Sequence, residues 1–214
     1  MTNKKINLSE PSFLKEELNN LKDCIKSGWV TSGEYIKKFE KSISKYVGSR
    51  HAIACINATS ALQVSLRLVG VKQGHEVIVP SLTFIAPINA ISYNGASPIF
   101  MDSDEFYNLD EVKTIEFIEN NTFFKNNSTY NLKTKKKISA IIIVHVFGNA
   151  PNIKILSKIC NKKNIKIIED ASESLGTFYK SKNNKKIHVG TNGKISCISF
   201  NGNKIITSGG GGMI

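Results

Sequence analysis

Ile138-Ser-Ala-Ile-Ile-Ile-Val144 is a near-continuous apolar run of strand length with no regular polar face. A strand of this kind must be covered on both sides, which a parallel sheet flanked by helices provides. The same kind of run recurs along the chain and alternates with segments of helical period. Strands are expected at Ala52–Ile56, Glu76–Val79, Pro98–Met101, Ile138–Val146, Ile165–Glu169 and Ile195–Phe200. Helices are expected at Glu10–Ser27, Tyr35–Tyr46, Ser60–Val69, Ala86–Tyr93, Glu111–Glu119 and Ile153–Lys163. Such alternation predicts an α/β domain around a mostly parallel sheet flanked by helices. The polar stretch from Asn120 to Lys137 reads as a loop, and no internal repeat is present. Gly209 to Gly212 precede Met213-Ile214, which reads as the first step of a further strand. The expectation is a domain over 1–214 that breaks off in mid-element and leaves an open sheet edge there.

The net charge of +12 invites a nucleic-acid reading, which the residue types oppose. The only arginines are Arg50 and Arg67, whereas bidentate contact to bases and phosphates favours arginine over lysine. No basic helix interleaved with aromatics occurs, so no nucleic-acid partner is expected. The runs Lys133–Lys137 and Lys180–Lys186 read as solvated loops. An acidic substrate such as a nucleotide sugar is compatible with the excess charge. The longest apolar stretch, Ile138 to Phe147, is too short to span a bilayer. Two lysines near the start are followed by no apolar core, so the reading is cytoplasmic. Cys24, Cys55, Cys160 and Cys197, and the histidines His51, His75, His145 and His188, are too scattered for a metal site or disulfide framework. Cys55 and Cys197 lie in apolar runs and read as small buried hydrophobes.

In an open α/β sheet, ligands gather at the carboxyl ends of the strands. Thr59 and Ser60 follow one such end at a strand-to-helix turn, where free N–H groups and the helix dipole can seat a phosphate. An ordinary N-cap explains the same residues. Asp170 closes another strand and could hold a protonated pyridine nitrogen, or simply cap the turn that follows. Lys204 follows the strand ending at Phe200 and precedes a glycine-rich loop. A lysine there could form an imine and later move a proton, although most lysines are merely exposed. Each of these signals is weak alone.

Their order along the chain is more specific. Asn57-Ala-Thr-Ser-Ala-Leu62, Gly74-His-Glu-Val-Ile-Val-Pro80, Thr83-Phe-Ile-Ala86 and Gly95-Ala-Ser-Pro-Ile-Phe-Met-Asp102 come first. Val144-His-Val-Phe-Gly148, Glu169-Asp-Ala-Ser-Glu-Ser-Leu-Gly176 and Ser199-Phe-Asn-Gly-Asn-Lys204 follow, with Gly209–Gly212 behind them. Together with the opening Gly28-Trp-Val-Thr-Ser-Gly33, this series resembles the DegT/StrS-type sugar aminotransferases over essentially all 214 residues. The resemblance implies the large domain of a fold-type-I pyridoxal-phosphate transferase, truncated before the smaller C-terminal domain. It implies pyridoxal 5′-phosphate as cofactor, Lys204 as the Schiff-base lysine and Asp170 as the partner of the pyridine nitrogen. Thr59, Ser60 and Ser199 would contact the phosphate, and Phe84 would stack on the ring. Glu173, where many members have Gln, would meet the phenolic oxygen or the substrate. His145 reads as a satisfied core histidine.

The implied reaction moves an amino group from an amino acid, glutamate, to a nucleotide-linked keto-sugar, in a homodimer when the protein is full length. Ile91–Ala96 and Thr83–Pro87 most resemble members that aminate 4-keto hexoses, including those feeding legionaminic-acid-type sugars. Related proteins with His in place of the lysine are dehydratases, which Lys204 argues against. The rival reading is an inactive fragment that only binds the cofactor or pairs with a full-length subunit. A nucleotide-binding domain without pyridoxal phosphate would need a Gly-x-Gly-x-x-Gly turn, which is absent.

Overall fold

The computed structural model describes residues 5–180 and 186–214. The chain runs α1 (Lys15–Ser27), α2 (Glu34–Val47), β1 (Ala54–Cys55), α3 (Ala58–Leu68), β2 (Glu76–Pro80), α4 (Ile85–Tyr93) and β3 (Ser97–Met101). It continues through α5 (Glu111–Asn120), the hairpin β4 (Thr122–Lys125) and β5 (Ser128–Asn131), and β6 (Lys137–Val144). After a single 3-10 turn come α6 (Lys154–Lys162), β7 (Lys166–Asp170), the hairpin β8 (Phe178–Lys180) and β9 (Lys186–His188), β10 (Ile195–Ser199) and β11 (Gly212–Met213).

The main sheet has the order β1-β11-β10-β7-β6-β2-β3, and the five strands from β10 to β3 are parallel. The α/β architecture is the one the alternating pattern predicts. Val77 and Val79 pack with Ala140, Ile142 and Val144 under α3 and α4, whereas Ile78, Ile141, Ile143 and Ile167 pack with α5 and α6 on the other face. Side chains of one strand alternate between faces, so both sets must be apolar where both faces are covered. Each such buried Ile or Val contributes about 1.5–3 kcal/mol. Cys197 is fully buried as expected, while Cys55 is only half-buried.

Four expectations need correction. Helix α1 starts at Lys15, not Glu10, because Pro11 disfavours helical backbone before it and Glu17 reaches back to the Leu14 N–H at 2.6 Å. The stretch read as a loop from Asn120 to Lys137 holds the β4–β5 hairpin. Asn126 and Asn127 both take left-handed backbone there, as a two-residue hairpin turn demands. Lys180 and Lys186 are paired strand residues at either end of residues 181–185, which lie outside the described part. Finally, β11 is no sheet edge. It pairs antiparallel with β1 on one side and β10 on the other, and Ile53 and Ile214 exchange both backbone hydrogen bonds at 2.8 Å.

Candidate active site

The carboxyl ends of β2, β6, β7 and β10 and the start of α3 surround a cavity of about 700 Å³. The start of α3 is set by Asn57, whose Oδ1 accepts the Ser60 N–H at 2.8 Å and whose carbonyl accepts the Ala61 N–H at 3.1 Å. The second is the first bond of the helix itself, and the first satisfies one of the N–H groups that a helix start leaves without intrahelical partners, while those of Ala58 and Thr59 stay open. Strand β11 lies directly beneath. A Cβ built on Gly212 would collide with the Asn57 carbonyl carbon, so only glycine lets the strand pass under this turn.

Asp170 ends β7 on the cavity side and is 5% exposed. Burial pushes its carboxyl above the usual carboxylate range, against the pull of the Ser172 hydroxyl and N–H and of the His145 and Lys204 charges. Lys204 follows β10, with its side chain 17% exposed and Nζ 2.8 Å from Glu173 Oε1. The other Glu173 oxygen accepts the Phe147 N–H at 2.9 Å. Burial works to raise the Glu173 pKa, but Lys204 and the Phe147 amide together hold it below the ordinary value.

The structure thus gathers Thr59, Phe84, Asp170, Glu173, Ser199 and Lys204 around one cavity. Ser60 is not in its wall, because α3 begins at Ala58 and places Ser60 in the third helical position with its N–H held by Asn57. His145 is buried at the cavity wall, with Nε2 2.9 Å from Glu169 and Nδ1 without a hydrogen-bond partner, so it is only half satisfied. The sequence reading gave no role to Asn57, Thr83, Tyr107, Phe147, Ser172, Asn201 and Asn203, all of which line the cavity. Asn57 carried a usable signal, an N-cap residue directly before a helical segment. Thr83, Phe147, Ser172, Asn201 and Asn203 stand inside the quoted segments at strand ends, whereas Tyr107 lies outside them all and is brought in by the fold alone.

The residues present fit pyridoxal phosphate. The two N–H groups at the start of α3 suit a phosphate, Phe84 offers an exposed ring, and Thr83 Oγ1 is a buried hydroxyl in the cavity wall with no partner. Asp170 suits a protonated ring nitrogen and Lys204 suits the carbonyl. Among the described residues no cluster has the makings of a metal site, and no helix is long and apolar enough to cross a membrane.

Comparison with solved structures gives the same picture. An aminotransferase from Psychrobacter cryohalolentis superposes with a TM-score of 0.80 at 30% identity, over 96% of this chain and 48% of its own. The Spr1654 protein of Streptococcus pneumoniae, solved in a PLP-form, gives 0.82 at 26% identity, over 97% and 52%. Residues 11–214 match the DegT/DnrJ/EryC1/StrS aminotransferase family, and the chain belongs to it. Aminotransferases of this family are dependent on pyridoxal phosphate. The GDP-perosamine synthase of Escherichia coli O157:H7 is 38% identical over 212 residues, which is 99% of this chain and 53% of that protein. The chain therefore spans about half the length of the curated relatives it matches.

Proposed function

We propose that this chain is the cofactor-binding part of a pyridoxal-phosphate-dependent aminotransferase acting on a nucleotide-linked keto-sugar. The observation that carries the reading is the meeting of Lys204, Asp170 and the open start of α3 at one cavity. Bound there, the cofactor would supply the electron sink needed to break a Cα–H bond. The chain's own groups divide the remaining work. The N–H groups of Ala58 and Thr59, with the Thr59 and Ser199 hydroxyls, would hold the phosphate. Asp170 would keep a proton on the pyridine nitrogen, and that positive charge would in turn favour the ionised carboxylate that burial alone opposes. Phe84 would cover the ring and exclude water from it. Lys204 would hold the cofactor, then carry a proton as a free amine, and Glu173 would keep that amine inside the cavity.

The relatives named GDP-perosamine synthase support a nucleotide-linked sugar as acceptor. Glutamate as donor, a homodimeric assembly and a cytoplasmic place complete the reading, as the family resemblance and the composition suggested. Incubation with pyridoxal phosphate and then borohydride should leave a stable pyridoxyl label on the Lys204 peptide. Labelling of another lysine, with Lys204→Ala still labelled, would overturn the assignment. A chain extended to the relatives' length should transaminate a 4-keto nucleotide sugar with glutamate. If the extended protein is labelled at Lys204 but turns nothing over, the rival reading of a cofactor-binding protein stands.

A further inference from the structure

Two turns at the cavity rim share an unusual construction. Phe147 has φ of +53° and Tyr107 has φ of +66°, the left-handed region that bulky residues rarely occupy. Each turn is pinned by a carboxylate. Asp104 accepts the N–H groups of Phe106 and Asn108 at 2.9 Å around Tyr107, and Glu173 accepts that of Phe147 at 2.9 Å. Gly148 completes the second turn at φ of +81°, and a Cβ there would stand 2.9 Å from the Glu173 carbonyl oxygen. Strained backbone persists only where the surroundings over-determine it. What both turns achieve is the display of an aromatic ring. Phe147 is 77% exposed and Tyr107 53% exposed, both line the cavity, and the rings stand edge to face with centroids 6.3 Å apart. None of the cofactor duties falls to either ring.

We infer that Phe147 and Tyr107 form the wall against which the pyranose ring of the acceptor sugar packs. The inference rests on the proposed function. Position selects the sugar over the nucleobase. Lys204 Nζ reaches Glu173 at 2.8 Å, and the other oxygen of the same carboxylate reaches the Phe147 N–H at 2.9 Å. Phe147 is thus one carboxylate away from the amine at the reacting centre. The carbon to be aminated must come to that centre, so its own ring lies beside Phe147, while the base stands beyond the diphosphate. The wall is also apolar apart from the Tyr107 hydroxyl, which suits the C–H face of a pyranose.

The test uses saturation-transfer NMR on the chain with two probes, GDP-mannose and UDP-N-acetylglucosamine. The pyranose protons of at least one probe should take up strong saturation. Phe147→Gly keeps a residue at ease with left-handed backbone while removing the ring, and should weaken binding about three- to tenfold. Phe147→Tyr should bind like the wild type. Unchanged pyranose saturation in Phe147→Gly, strongest saturation on the base protons, or no pyranose saturation from either probe in the wild type would each overturn the wall. Pyridoxyl labelling of Lys204, run in parallel, separates the two readings. Loss of the label with pyranose saturation intact would defeat the cofactor assignment and leave the wall standing.

Discussion

Glu169 and Glu173 leave the same strand end and make contacts of the same kind, in opposite surroundings. Glu169 accepts from His145 Nε2 and from the N–H groups of Gly190, Asn192 and Gly193, and both members of its side-chain pair are fully buried. Glu173 accepts from Lys204 and from the Phe147 N–H at the cavity, with 38% of its side chain exposed. The first carboxylate fastens the loop after β9 to the sheet, and Gly193 leaves the room for it, since a Cβ there would stand 3.2 Å from Glu169 Cγ. The second holds a cation that has other work to do. A sealed pair is costly to break because a buried group is left unmatched, whereas a wet pair is worth little and can exchange partners. Burial, more than the inventory of contacts, separates a structural carboxylate from a working one.

The difference can be broken by substitution, and the largest effect is expected at Glu169. Glu169→Gln should cost about 3 kcal/mol in urea unfolding, since His145 and three main-chain amides lose their charged partner. A loss below 1 kcal/mol would remove the distinction from Glu173. The same variant sharpens the acid response. Burial works to raise the Glu169 pKa, but His145 and the Gly193 and Asn192 amides together bring it below the ordinary 4.5. Its stabilisation is therefore fully present above that value and is lost as pH falls through the lower folded value. Wild-type stability should decline along that limb, and Glu169→Gln should decline less.

Asn57→Ala comes next. It removes the α3 cap and should cost about 1 kcal/mol by the same unfolding measurement. Pyridoxyl labelling should weaken with it, because the helix start that would hold the phosphate loses its anchor. Intact labelling would show that the cap serves the fold alone. The smallest change in stability belongs to Glu173→Gln, below about 1 kcal/mol. Its signature should lie in the rate of Lys204 labelling, with the unfolding midpoint nearly unmoved. A variant that unfolds much earlier while labelling normally would reverse the roles of the two carboxylates.

The sheet was legible in the sequence because strands buried on both faces leave uninterrupted runs such as Ile141-Ile-Ile-Val144. The residues that arm the cavity were legible in part. Asp170 stands at the end of one such run and Lys204 a short turn beyond another, so strand ends located them. Tyr107 and Phe147 were not, because their exposure follows from left-handed turns set by Asp104 and Glu173, and no local pattern marks a bulky residue for that conformation. The β4–β5 hairpin was hidden by polar composition, although its Asn126-Asn127 pair is a turn signal once strands are sought on either side. The start of α3 was placed two residues late because Ala58 and Thr59 looked like the turn and Asn57 was not taken as the cap.

The pairing of β11 sets an order of events as the chain folds. The strand joins position 54 to position 213, so among the described residues β1 gains its partner in the main sheet from a strand that follows β10. The parallel core from β2 to β10 needs no such distant closure. Contacts this remote must overcome chain entropy before they return any stability, which makes them late and slow. During synthesis from the amino terminus, the Asn57 turn therefore waits for Gly212 to emerge before the strand beneath it is in place. Assembly of the core and completion of the ligand cradle are separate steps in time. An amide-exchange pulse during refolding should find Ile141–Ile143 protected well before Ile53 and Ile214.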